Sequence, residues 1–170
     1  MTRFTVTVDP GNLKDLGPAD HLLRTLAAEL DLPVDTFGCT HLIRDERPRV
    51  AVSLSAASDV LGAVREQLGD RGYEVTDGAP DGAGRAVLFP GAGELTGTLT
   101  IAEILSRSAI DAVQVLGSPA PPPPETRLAT QDHVRPQWQA GELVLKAMPA
   151  VGGVLVPFEF PSPTPCCADH

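Results

Sequence analysis

Phe37-Gly38-Cys39-Thr40-His41-Leu42-Ile43, Arg44-Asp45-Glu46-Arg47-Pro48-Arg49 and Val50-Ala51-Val52-Ser53-Leu54-Ser55 follow one another without a break. The outer two runs read as strands, and the charged middle run reads as the turn that folds one back on the other. Working outward from this hairpin gives the rest of the first half. Upstream, residues 3–8 alternate polar and apolar side chains as a strand does. Residues 18–30 then place Leu22, Leu23, Leu26 and Leu30 at the three-to-four spacing of a helix, which Pro33 closes. Downstream, residues 58–68 carry Val60, Leu61, Val64 and Leu68 on one helical face, with Ser58 as the expected N-cap. Residues 69–72 end that helix, and Tyr73-Glu74-Val75 opens a fourth strand.

Strand, helix, strand, strand, helix, strand is the order of the ferredoxin-like, split βαβ unit. The expected fold class is therefore α+β, with a ferredoxin-like N-terminal lobe over residues 1–78. That architecture hosts many functions and selects none. Residues 77–84 are loop chemistry and mark the expected boundary with a second lobe, residues 79–170, unless the whole is one compact domain. The second lobe is expected to be mainly antiparallel β with one helix. Its elements are a strand at 86–89, a helix opened by Thr98 or Thr100 and ending near Ser108, and strands at 113–116, 127–134, 142–148 and 154–160. Thr100 and Glu103 have capping-box spacing. A Pro-rich connector (119–124) suits polyproline II, Gly152-Gly153 signals a hairpin, and Pro157 places its strand at an edge or a bulge.

Composition limits the functional classes. The chain has 170 residues and a formal net charge of −9, so it repels phosphate backbones and anionic bilayers; neither nucleic acid nor membrane is expected as a partner. No apolar leader and no spanning run stands in the sequence, and the expected location is cytoplasmic, where thiols stay reduced. A protein partner or a homo-oligomer fits these limits.

The unusual chemistry lies in residues 161–170. Thr164 suits an N-cap and Pro165 a first helical position, so Cys166 and Cys167 would open a terminal helical turn, where the positive dipole end favours thiolate. Adjacent cysteines sit about 3.8 Å apart at Cα, too close for ordinary disulfide geometry. His170 follows Cys166 by four residues and Cys167 by three, and so shares a face with either. Two sulfurs and an imidazole suit zinc, although adjacent ligands depart from the usual C-x₂₋₄-C spacing.

Cys39 and His41, two apart on a strand, share a face and form a second half-site that would complete the set; His133 is a further donor. The plainer reading makes Cys39 a small core residue. The sequence thus predicts metal binding, with Zn as cofactor and Cys166, Cys167, His170, Cys39 and His41 as ligands. Two alternatives stand beside it. One is a non-catalytic binding or regulatory module whose tail docks on its own body or a partner. The other is a cysteine-dependent enzyme with Cys166 or Cys167 as nucleophile and His133, His41 or His170 as base. The Gly-rich segment from Gly91 to Gly97 fails the G-x-G-x-x-G spacing and reads as a turn.

Overall fold

In the computed structural model, which describes residues 3–80 and 84–161, strand alternation organises the first half. Val6 and Val8 of β1 (Arg3–Asp9) and Val50, Val52, Leu54 and Ala56 of β3 (Arg49–Ala57) face one buried cluster, as residues two apart on pleated strands do. β2 (Phe37–Ile43) pairs antiparallel with β3 from Phe37↔Ser55 to Ile43↔Arg49, so the expected hairpin forms. Asp45 closes its turn by accepting from the Arg47 amide at 2.8 Å, and Arg49 reaches both Asp45 and Asp9. β1 runs antiparallel to β3 and to β4 (Glu74–Asp77), giving the order β4-β1-β3-β2. Leu23 and Leu26 of α1 (Leu16–Glu29) and Leu61, Val64 and Leu68 of α2 (Ser58–Asp70) fill the same cluster. Burying each such side chain is worth about 1.5–3 kcal/mol, far more than either helix gains from propensity.

The sheet continues into the second half. β5 (Arg85–Leu88) pairs antiparallel with β2, with an irregularity between Gly38 and Cys39. A 3₁₀ turn (Ala92–Glu94), β6 (Thr98–Thr100), α3 (Ile101–Arg107), β7 (Ala112–Val115), β8 (Arg127–Ala129), β9 (Gln137–Gln139), β10 (Glu142–Pro149) and β11 (Leu155–Pro157) follow. Among the described residues the strands form one eleven-stranded sheet in the order β4-β1-β3-β2-β5-β9-β10-β11-β8-β6, with β7 on β10. Its pairs are antiparallel except β7–β10 and β8–β11. The fold is mixed α and β, with three α-helices and a large, mostly antiparallel sheet among the described residues, and no helix there is long and apolar enough to cross a membrane.

A second cluster, with Phe89, Leu99, Ile104, Leu128, Leu143 and Leu145, fills this half. β5 is the seam: Val87 faces the first cluster and Ala86 the second, because successive side chains point to opposite faces.

Several local expectations are corrected. Ala57, not Ser58, is the N-cap of α2; Ser58 is already helical and no side chain caps the end. α1 starts at Leu16, which puts Pro18 in the first turn, where its missing N–H costs nothing. The strand expected at 127–134 stops at Ala129: the Thr130 hydroxyl turns back to the Gly97 carbonyl at 2.7 Å, and Gln131 and Asp132 take positive φ. The strand expected at 154–160 narrows to Leu155–Pro157 and is interior, not an edge; β8 meets it only at Leu155↔Leu128, so the N–H that Pro157 lacks falls beyond that contact. The turn before it is wider than two residues, closed by the Ala150 amide on the Val154 carbonyl at 2.8 Å. The Thr100–Glu103 capping box forms in both directions.

Two glycines separate the effects of backbone conformation and space. Gly91 (φ +85) would place a Cβ 2.0 Å from the Arg107 carbonyl oxygen, whereas Gly117 (φ +82) has open space around it. Urea unfolding should show Gly117→Ala costing about 1–2 kcal/mol, the price of left-handed backbone alone, and Gly91→Ala more than about 3 kcal/mol. Equal losses would contradict this placement of the 90–94 loop.

Candidate functional site

The helical stripe that packs α1 onto the sheet contains one charged residue. Asp20 lies between Ala19 and Leu23 on the buried face and is only 5% exposed. A carboxylate in that position must be paired, and two arginines from the other half pair it. Arg85 on β5 donates from Nη1 to Asp20 Oδ1 at 2.7 Å and from Nη2 to Oδ2 at 3.1 Å, the bidentate fork that guanidinium geometry favours. Arg135, in the segment between β8 and β9, donates from Nε to Asp20 Oδ2 at 2.9 Å.

The network extends outward from Arg85. Its Nε donates to Glu159 Oε1 at 2.7 Å, and its Nη1 to the Thr40 hydroxyl at 3.2 Å. His133 Nε2 lies 2.8 Å from Glu159 Oε2. Five segments distant in sequence thus meet at one point: α1, β2, β5, the β8–β9 connection and the residues after β11.

Charge balance explains why the burial holds. Burial opposes ionisation of Asp20, but the hydrogen bond from Arg85 and the charge of Arg135 outweigh it, leaving the carboxyl below its ordinary range. Glu159 is likewise disfavoured by burial and lowered, on balance, by Arg85 and His133. Arg85, with two carboxylates, is held above its ordinary value despite burial. Arg135 has one carboxylate, and burial together with the like charges of Arg24 and Arg85 lowers it.

The sequence-derived donors Cys39 and His41 flank Thr40 on β2 and so face the other side of the sheet from it. Cys39 and His41 do share a face and a pocket of about 350 Å³: a Cβ on Gly84 would lie 2.9 Å from both Cys39 Cβ and His41 Cε1. Their side chains are otherwise engaged. Cys39 is packed in the second core cluster, and burial pushes its thiol up to about 11, against the opposing hydrogen bond of Trp138. His41 Nε2 lies 2.7 Å from the Ser53 hydroxyl, and burial lowers its pKa. The plainer reading of Cys39 as a core residue matches this placement. His133 is bonded through Nε2 to Glu159.

Cys166, Cys167 and His170 lie outside the described residues. Among the described residues no group of three or more His, Cys, Asp and Glu side chains is arranged to hold a metal ion.

Three clefts run along the seam. The pocket just described is one. A second, of about 690 Å³, opens over the ion network and is lined by Lys14, Asp20, Arg85, His133, Glu159 and Phe160. The third, of about 500 Å³, lies between the α1–β2 connection and the 90–94 loop and includes Thr36 and Phe89. No protein-family model matches the chain, and neither a curated protein nor a solved structure gives a significant match.

Asp20→Asn leaves buried Arg135 without its anion and Arg85 with Glu159 alone, and should cost about 3–5 kcal/mol in urea unfolding, while Asp15→Asn nearby should cost under about 0.5 kcal/mol. The pH dependence has a definite sign. Asp20 and Glu159 contribute stability that is complete above the ordinary carboxylate values of 3.8 and 4.5 and is lost as pH falls through their lower folded values. His41 acts higher: the unfolded chain takes up a proton near 6.5 before the folded chain does, so stability also declines as pH drops below 6.5. His41→Asn should flatten the profile between about pH 7 and about pH 5 and leave the acid-side loss in place; an unchanged slope there would contradict the assignment.

Proposed function

We propose that the chain is a non-catalytic binding or regulatory module that takes its ligand along the seam between its two halves. One observation carries this reading. The buried charges at the seam are neutralised by one another, while clefts of about 500 and 690 Å³ open beside them. Catalytic groups need an unmet proton affinity or an activated nucleophile, whereas Asp20, Arg85 and Glu159 are spent on each other and Cys39 stays protonated at neutral pH. What remains is concave space, mostly apolar in the smaller cleft and bordered by Lys14, Asp15 and the network itself in the larger one, at a junction of the kind where ligand sites concentrate.

The first half is best assigned to the ferredoxin-like arrangement. Support comes from the order β4-β1-β3-β2 and from two helices sharing one cluster. A division near residue 78 is supported by the two separate clusters, although Cys39 of β2 belongs to the second cluster and Val87 of β5 to the first. A cytoplasmic location is proposed with it, consistent with a Cys39 thiol that is free among the described residues.

Binding at the seam is testable by protein-observed NMR with a fragment library on the full chain. Hits should shift the amides of Thr36, Phe89, Arg85 and His133; a library with no hit at the seam, or fragments chemically converted during the experiment, would overturn the proposal.

Zinc held by Cys166, Cys167 and His170, with Cys39 and His41, is a second reading, favoured by the shared pocket of Cys39 and His41. It requires the metal to take the proton from the Cys39 thiol and to compete with Ser53 for His41. Elemental analysis of untagged protein separates the two readings. The module reading expects less than about a tenth of an equivalent of metal; about one equivalent, lost in a Cys166→Ser, Cys167→Ser variant, would establish the zinc reading instead.

A further inference from the structure

Alternation gives the first half of the sheet two unlike faces. Val6, Val8, Val50, Val52 and Leu54 point into the cluster that the helices cover, so Thr5, Thr7, Ser53 and Ser55, which alternate with them on β1 and β3, point to the opposite face. Across the strands Thr5 lies level with Ser55 and Phe37, and Thr7 with Ser53 and Cys39. Three polar side chains on this face are buried: Thr7, His41 and Ser53. Packing alone favours Val or Ile there, because a buried hydroxyl or imidazole must be hydrogen-bonded merely to offset its desolvation. Thr7 donates to the Gly78 carbonyl at 2.6 Å, and His41 Nε2 meets the Ser53 hydroxyl at 2.7 Å. None of the three belongs to the ion network around Asp20.

The cleft of about 350 Å³ lies on this polar floor, and part of the floor's hydrogen-bonding capacity is unused. His41 is only 7% exposed, yet among the described residues its Nδ1 makes no hydrogen bond, and neither do the hydroxyls of Thr5 and Ser55. These atoms are not sealed in. Among the described residues the one fully enclosed side-chain nitrogen or oxygen without a partner is Thr36 Oγ1, so the three reach open space, and this cleft is space that all three residues line.

Phe37 and Trp138, with ring centroids 5.4 Å apart, supply an aromatic wall. Arg3 supplies the charge. Its guanidinium stands 5.2 Å from the Phe37 ring centroid, and its pair with Asp35, at 3.3 Å, is exposed and of the kind that water and ligands displace readily. No Asp or Glu is among the described residues lining this cleft, whereas Asp35 and Glu94 line one of the other seam clefts and Asp15, Asp20 and Glu159 the other. The register also sets a length: His41 is four residues beyond Phe37 on β2, about 13 Å along the strand from the level of Thr5 and Ser55. A molecule that uses both ends is elongated and flat, anionic at one end and hydrogen-bonding at the other.

We propose that this cleft binds a small hydroxyaryl carboxylate whose carboxylate accepts from Arg3 and from the Thr5 and Ser55 hydroxyls, whose ring lies against Phe37 and Trp138, and whose phenolic hydroxyl meets His41 Nδ1. The proposal rests on the seam-binding reading and names the ligand class for its smallest cleft. A phenol can donate or accept, so it serves either tautomer of His41. Polyanions are disfavoured, since one cation faces the cleft in a chain at −9.

4-Hydroxycinnamate has the three parts at the required length. 4-Hydroxycinnamamide removes the charge, tyramine reverses it, and cinnamate removes the hydroxyl. Chemical-shift titration of the full chain should place 4-hydroxycinnamate at Thr5, Cys39, His41 and Ser55. Its affinity should exceed that of the amide by about three- to tenfold, with tyramine weakest. Arg3→Gln should erase the preference for acid over amide, while Arg71→Gln, the same change of charge at the C-terminal end of α2, should leave it intact. Thr5→Val keeps the side-chain shape and should weaken the acid about fivefold without lowering the melting temperature, because that hydroxyl bonds nothing in the free protein. Cinnamate should bind about fivefold more weakly than 4-hydroxycinnamate, and His41→Asn should remove the difference.

Each other outcome overturns something specific. If the amide or tyramine binds the cleft as well as the acid, the ligand class is wrong and seam binding stands. If 4-hydroxycinnamate shifts only amides away from Thr5, Cys39, His41 and Ser55, the site is wrong. If cinnamate binds equally well, the phenol does not meet His41. If neither these probes nor library fragments shift any seam amide, both proposals fall.

Discussion

A buried carboxylate cannot stand alone, and Asp20 is where this chain meets that constraint. Moving one charge out of water is so unfavourable that the fold must bring cations to it, and both come from the far half of the sequence, Arg85 on β5 and Arg135 before β9. The two arginines in turn need the geometry that α1 provides. The halves therefore cannot separate slightly: any shift that lengthens these bonds exposes one ion while leaving another buried and unpaired. Replacing such a group by well-packed apolar residues is often neutral for stability, so the network is better understood as specifying how the halves sit than as a store of binding energy.

The same arrangement shapes the functional reading. The network pairs Asp20, Arg85, Arg135 and Glu159 with one another, and on the other face of β2 burial pushes the Cys39 thiol up. Rigid juxtaposition of two halves does, however, create concave surface along the line where they meet. The clefts on either side of β5 are products of the joint, held in shape by it. The α1–β2 connection and the 90–94 loop stand opposite one another across one of these clefts.

What the sequence makes legible follows the range of the interactions. Period-two alternation in β1 and β3, the hairpin at 37–55 and the Thr100–Glu103 capping box are local, and the structure contains them as expected. Cys39 and His41 share a face for the same local reason. β9 is missed because Gln137-Trp138-Gln139 is too short to show alternation; its identity comes from pairing with β5 and β10. The early end of β8 depends on a hydroxyl bonding across to Gly97, which no local pattern announces. Asp20 left a faint signal, a charge three residues before Leu23 on the buried stripe of α1, but its partners lie 65 and 115 residues away. Cys39 and His41 share a pocket as their spacing implies, whereas the burial that pushes the Cys39 thiol up comes from the second cluster, which no local pattern shows.

The claim that Asp20 joins the halves into one cooperative body is tested most directly by native-state hydrogen exchange. The account predicts that amides of Val8 and Val52 in the first half and of Leu143 and Leu145 in the second exchange through openings equal in free energy to within about 0.5 kcal/mol, and that Asp20→Asn separates the two groups. A gap above about 2 kcal/mol in the unmodified chain would show that the halves open independently and would contradict it.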